Sequence, residues 1–199
     1  MAVLQSLRLP HQNFRQHPDF KPTYIPLGVL NAAIGSLPED YRSLASLLGF
    51  EGSVSRGMAL LSGAYSKLSA DPNTQFYNSY AGFVYSFVSF QLDPGSSVSP
   101  HSLGLPVGSS SFLIYLQARI ELAKGRPLAA AKWLAQRPSG DRYQSFHYLN
   151  YLQGKVLLGL EPDQRPEYFW RYIRQSKNEL YLKSSYRYLS WYYLLARSG

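Results

Sequence analysis

The residue types best suited to chemistry in this 199-residue chain are four histidines, twelve carboxylates and a glycine-bracketed turn, Gly49-Phe50-Glu51-Gly52-Ser53. Each can be tested against what a reaction requires. His11, His17, His101 and His147 are far apart, and no HExxH or other metal-ligand spacing joins them. A nucleophile elbow, G-x-S-x-G, is absent. The glycine turn lacks the lysine that a phosphate loop places after its second glycine, and no strand precedes it, as a dinucleotide site requires. The N–H groups near Ser53 could receive an anion, but Glu51 beside them disfavours one. Glu39 and Asp40 suit a helix N-terminus, where negative charge is stabilising. Glu161 and Asp163 read as turn residues. With no cysteine, thiolate chemistry and disulfides are excluded. The expectation is a protein that is not an enzyme and needs no metal or cofactor.

The elements that would position a binding site are helical. Apolar periodic segments are punctuated by Pro and Gly, and no alternating strand pattern occurs. Residues 26–35 are a short apolar segment, and helices are expected over 36–48, 53–69, 74–92, 111–124, 127–136, 143–159, 164–176 and 180–196. Ser36-Leu37-Pro38-Glu39 reads as a capping box that opens the first of these helices, and Gly49 as its stop. Asp71-Pro72-Asn73 marks a turn. Residues 1–92 form an N-terminal helical block. Residues 93–111 are a Ser/Gly/Pro loop, expected to be a mobile connector. Residues 112–199 form a second block. No secretory signal or membrane-spanning run is visible, and the sequence assigns no compartment or oligomeric state. The charge is uneven: residues 1–118 hold six Lys/Arg and six Asp/Glu, whereas 119–199 hold fourteen and six. A basic half suits an acidic partner.

The second block repeats with a period of 36. Leu116, Leu152 and Tyr188 fall in register, as do Ala118, Gly154 and Ser190, then Ile120, Val156 and Tyr192, then Leu122, Leu158 and Leu194. Trp133-Leu134 corresponds to Phe169-Trp170. A helix pair per period is the signature of a stacked α-solenoid. Ala118, Gly125, Ala130 and Leu134 resemble the small, turn and large residues of the tetratricopeptide repeat. In the next unit Gly154 matches, but Glu161 replaces the turn glycine and Pro166 the second-helix alanine, so that helix is expected to start late. The third unit is incomplete. The fold class read from the chain is therefore all-α, with antiparallel helix pairs stacked as a tetratricopeptide-like solenoid.

Residues 28–61, with Gly28, Ser36, Pro38, Leu48, Gly49, Phe50, Gly52 and Gly57, resemble a segment of the inclusion-body clearance and tetratricopeptide-repeat 39 proteins and of related bacterial repeat proteins. The resemblance implies a non-catalytic scaffold that holds protein partners, and its longer members suggest that this chain is a fragment. In a tetratricopeptide stack the first helices line a groove. The groove positions would be Phe112, Tyr148 and Ser184; Tyr115, Tyr151 and Arg187; and Arg119, Lys155 and Trp191. This aromatic and basic ladder suits an acidic or extended peptide. The plainer arrangement, with Tyr115 and Tyr151 packed between helices and the cations solvated, fits the same residues. Nucleic acid binding through the basic half is the rival, disfavoured because the ladder changes from unit to unit.

Overall fold

The computed structural model describes residues 23–69, 75–138, 146–158, 160, 165–176 and 180–197. Among these residues the structure is helical, without strands. The chain divides into two compact units, Met1–Leu105 and Pro106–Gly199. His11, His17, the 71–73 turn and Glu161–Asp163 lie outside the described residues.

In the first unit, α1 (Tyr24–Gly35) and α4 (Gln75–Leu92) both pack on α3 (Val54–Ser69), and α2 (Glu39–Leu47) links α1 to α3. Ile25, Leu61, Ala64, Leu68, Ala81 and Val84 form the core. The glycines of the 28–61 segment allow α1 and α3 to touch backbone to backbone. A Cβ on Gly57 would lie 2.5 Å from the Ala32 nitrogen and 2.7 Å from the Gly28 carbonyl oxygen. A Cβ on Gly52 would lie 2.5 Å from Ile34 Cβ, and one on Gly35 2.5 Å from the Val54 nitrogen. Gly49 has a different task. Its φ of +79° closes α2, and the Phe50 and Gly49 N–H groups bond the Ala45 and Ser46 carbonyls at 2.9 and 2.8 Å. This Schellman pairing turns the chain so that Phe50 is buried. Ser53 then precedes α3, with the Arg56 N–H reaching its hydroxyl at 3.4 Å.

Two local expectations change. Ser36 does not cap α2: its N–H bonds the Ala32 carbonyl at 3.0 Å and its hydroxyl the Ala33 carbonyl at 2.8 Å, so it finishes α1. Pro38 holds the N-cap position of α2 instead. The α1 carbonyls need donors as much as the α2 amides need acceptors, and a serine this close to both can serve only one. The expected mobile connector is also anchored. Ser99 and Ser102 cap each other reciprocally at 2.8 and 3.1 Å, forming a single turn that closes at Gly104, φ +69°. Tyr65 donates its hydroxyl hydrogen bond to the Leu103 carbonyl, and buried Leu105 packs against Gly82.

The second unit holds α5 (Ser111–Ala123), α6 (Pro127–Ala135), α7 (Tyr148–Leu157), α8 (Arg165–Gln175) and α9 (Leu182–Arg197). Each packs on the next, and α5 also touches α7. Gly125, φ +70°, ends α5 as Gly49 ends α2. The two oxygens of the nearly buried Glu121 are held by Gln117 Nε2 and Arg126 Nε at 2.9 and 2.7 Å. The repeat register matches burial along α5 and α7, but in α9 Ser190 and Leu194 are exposed and Tyr188 and Tyr192 half-buried. Leu113, Leu116 and Ile120 of α5 and Leu149, Leu152 and Val156 of α7 are all buried, and Ser185 of α9 falls in register with Leu113 and Leu149. Gly154 seats the Phe169 ring, with an added Cβ 2.8 Å from Cζ. The partner of the small residue is thus Phe169, in register with Trp133, and not Trp170, in register with Leu134. Relative to α6, α8 starts two residues later in the register, which places Pro166 in its first turn, where proline is tolerated. Residues 143–145 of the expected helix lie outside the described residues, and Phe146, just before α7, lies against the rings of Phe112 and Tyr115.

These contacts order the glycines by cost. Gly57→Ala is expected to destabilise by more than ~3 kcal/mol, because backbone cannot yield, and Gly154→Ala by about 1–3 kcal/mol. Gly63→Ala, at a helical position with nothing within 4 Å, should stabilise by about 0.5–1 kcal/mol. Urea denaturation midpoints of the three variants check the order.

Candidate peptide-binding surface

The eight ladder residues arise on three helices of the second unit. Phe112, Tyr115 and Arg119 belong to α5, Tyr148, Tyr151 and Lys155 to α7, and Arg187 and Trp191 to α9. Spacing of three or four residues puts each set on one helix face. Within each helix a cation sits over an aromatic ring: Arg119 over Tyr115 at 5.5 Å, Lys155 over Tyr151 at 6.0 Å, Arg187 over Trp191 at 5.7 Å. Between helices the rings form a continuous chain. Tyr115 and Tyr148 are 6.2 Å apart, and Phe146 joins them to Phe112. Phe112, Arg187 and Trp191 are exposed, and Tyr115, Arg119, Tyr148 and Lys155 are half-buried.

Tyr151 differs from its ladder role. It is only 7% exposed and packs on Phe169 and Tyr172, 6.0 and 5.6 Å between centroids. The packing arrangement therefore describes Tyr151. Its pKa is pushed up to about 12 by burial first and by neighbouring Tyr188 next.

Three rings in this cluster were not anticipated as site residues: Phe146, Tyr172 and Tyr181. Tyr181 is stacked on Tyr151 at 4.4 Å with planes 2° apart, meets Tyr148 edge-on at 5.8 Å, and places its hydroxyl 3.3 Å from that of Tyr115. Its φ is +66°, the left-handed region that costs a tyrosine about 1–3 kcal/mol. Tyr172 donates its hydroxyl to the adjacent Leu180 carbonyl, which helps hold the strained residue. Tyr181 precedes α9 and lies outside the helical ladder, so no period marks it. Burial first, and the bond to Tyr181 next, raise the Tyr115 pKa.

Arg119 and Lys155 are close enough for the Arg119 charge to act on Lys155. The Lys155 pKa is lowered, by burial first and by Arg119 second. Among the described residues no carboxylate is placed against Lys155 or Arg187. Among the described residues, Arg126 pairs with Glu121, and Arg171 and Arg174 pair with Glu167. Such an arrangement can accept an anionic group between Arg119 and Lys155, flanked by tyrosine rings. Among the described residues no three His, Asp or Glu side chains are grouped to hold a metal ion, and no helix is long and apolar enough to cross a membrane.

No protein-family model, curated protein or solved structure matches the chain.

The lowered Lys155 pKa has a consequence for stability. Below 10.5 but above the lowered value, the folded chain binds fewer protons at this site than the unfolded chain. Stability then rises with pH through that window, and the penalty is fully present at neutral pH. Lys155→Met should raise the thermal midpoint at pH 7, with the gain shrinking as the pH approaches 10.5. Calorimetry of both proteins across pH 7–10 measures this.

Proposed function

We propose that the second unit is a tetratricopeptide-like solenoid segment that binds an acidic, extended peptide of a partner protein, as a non-catalytic scaffold. The observation that carries this reading is the placement of Arg119 and Lys155. Two neighbouring cations, one desolvated, lie over tyrosine rings, and a carboxylate arriving between them would lower the energy of both. The rings contribute rigid contact area at little entropy cost. The helix pairs joined in sequence, the repeat register that agrees with burial along α5 and α7, and the resemblance of residues 28–61 and 118–134 to tetratricopeptide-repeat proteins support the solenoid reading.

Fluorescence anisotropy with a labelled peptide of alternating Glu and Tyr tests the groove. Saturable binding is expected, weakening with added salt. Arg119→Glu combined with Lys155→Glu should weaken it by at least about tenfold, the equivalent of ~1.4 kcal/mol. Equal affinity in the double variant, with the helical circular dichroism unchanged, would remove the proposal.

A further inference from the structure

Helix α2 is amphipathic, yet the first unit displays its apolar side instead of burying it. Tyr41, Leu44 and Leu47, with Leu48 at the C-cap, recur at spacings of three and four and so form one stripe. Helices α1, α3 and α4 each place apolar residues in the core. The four stripe residues of α2 are 63, 57, 85 and 47% exposed, and no residue of the helix is buried. The excursion from 36 to 51 is nonetheless anchored. Its two feet meet at Gly52, where an added Cβ would lie 2.8 Å from the Gly35 nitrogen. Phe50 is buried just beyond the Gly49 stop. Four large apolar side chains side by side in water mark an interaction surface, and one held on a fixed base loses little entropy when it is covered.

Charge selects what could cover the stripe. Glu39 and Asp40 open α2 and Glu51 follows it, against the single cation Arg42. None of the ion pairs among the described residues involves these three carboxylates. A second copy of α2 laid parallel would set Glu39 and Asp40 against themselves. Laid antiparallel, it would bring them toward the other copy's Glu51, just past the helix end. An anionic bilayer would be repelled by the same carboxylates. A helix with leucines on one face and lysines beside them would cover the stripe and pair with the acids. We infer that α2 docks a basic amphipathic helix of a partner protein, with that helix's apolar face on Tyr41, Leu44 and Leu47 and its cations beside Glu39 and Asp40. This surface is independent of the Arg119–Lys155 pair, which lies in the other unit and attracts the opposite charge.

The probe is an acetylated and amidated fourteen-residue peptide of leucine and lysine, with the leucines on one helix face. Titrated into the full chain and followed by amide NMR, it should shift Tyr41, Leu44 and Leu47 saturably, with affinity falling as salt is added. The same pattern with glutamate in place of lysine should bind several-fold more weakly. Leu44→Lys, at an exposed position that should not disturb folding, should weaken the leucine–lysine peptide by at least about tenfold. Glu39→Gln with Asp40→Asn should weaken it several-fold, and Arg119→Glu with Lys155→Glu should leave it unchanged. Absence of saturable shifts on α2, or equal affinity in Leu44→Lys with unchanged circular dichroism, overturns the inference. Equal binding of the glutamate peptide overturns it too, because charge would then play no part in the choice of partner. Self-association of the free chain that Leu44→Lys disperses would make a second copy the occupant. Sedimentation with phosphatidylcholine vesicles that Leu44→Lys abolishes would make it lipid. Either result also overturns the inference.

Discussion

Both units depend on a helix pair that can close only where a side chain is missing. In the first, α3 lies against α1 at Gly57, where the nearest atoms are backbone on both sides. Backbone cannot move aside as a flexible side chain can, so the contact fixes both the separation and the register of the two helices. In the second, Gly154 receives the ring of Phe169, which is almost wholly buried. That ring stacks on Tyr188 at 5.3 Å and meets Tyr151 at 6.0 Å. The position of Tyr151 then sets the place where Tyr181 stacks, and Tyr181 in turn meets the hydroxyl of Tyr115. The candidate site is therefore the outer end of a chain of contacts that begins at one glycine. Its rings are held by packing, which is what a binding surface needs if little entropy is to be lost on ligation.

Burial by these rings also gives the cations their electrostatic character. An ammonium in open water gains little from one more carboxylate. Lys155 is partly desolvated by its surroundings and faces Arg119, so its charged form is already disfavoured. A ligand anion there replaces lost hydration and offsets repulsion together, in a medium of lower dielectric than water. Tyrosine suits this role better than phenylalanine because its hydroxyl can remain bonded at the edge of the cluster, as Tyr115 is to Tyr181 and Tyr172 to the Leu180 carbonyl.

What could be read from the chain was what depends on local chemistry. The helical class follows from periodicity, and Gly49 and Gly125 were legible as helix stops because a left-handed residue after a helix is most often glycine. Ser36 was misplaced because one hydroxyl had two helix ends within reach, and sequence does not say which wins. The 93–111 loop looked unstructured because its anchors are a distant tyrosine hydroxyl and a leucine that fits against Gly82. The ladder residues of α5 and α7 share a helix face by their spacing, but Tyr151 is covered by rings from α8 and from the turn before α9. Tyr181 could not be found by period, since it is strained, non-helical and recruited by its neighbours.

The excess positive charge of the second half is not spread evenly over its helices. In α8, Glu167 accepts from both Arg171 and Arg174 at 3.0 and 3.1 Å, so one carboxylate offsets part of that helix's positive charge. At the end of α5, Arg126 is bound to Glu121. Lys132 of α6 is exposed, whereas Arg119, Lys155 and Arg187 each lie over a ring of their own helix, α5, α7 and α9. Their stems lie along apolar or aromatic surface while their heads stay polar. Cations laid over rings set positive potential beside the tyrosines, and such potential can steer an acidic segment before any contact is made.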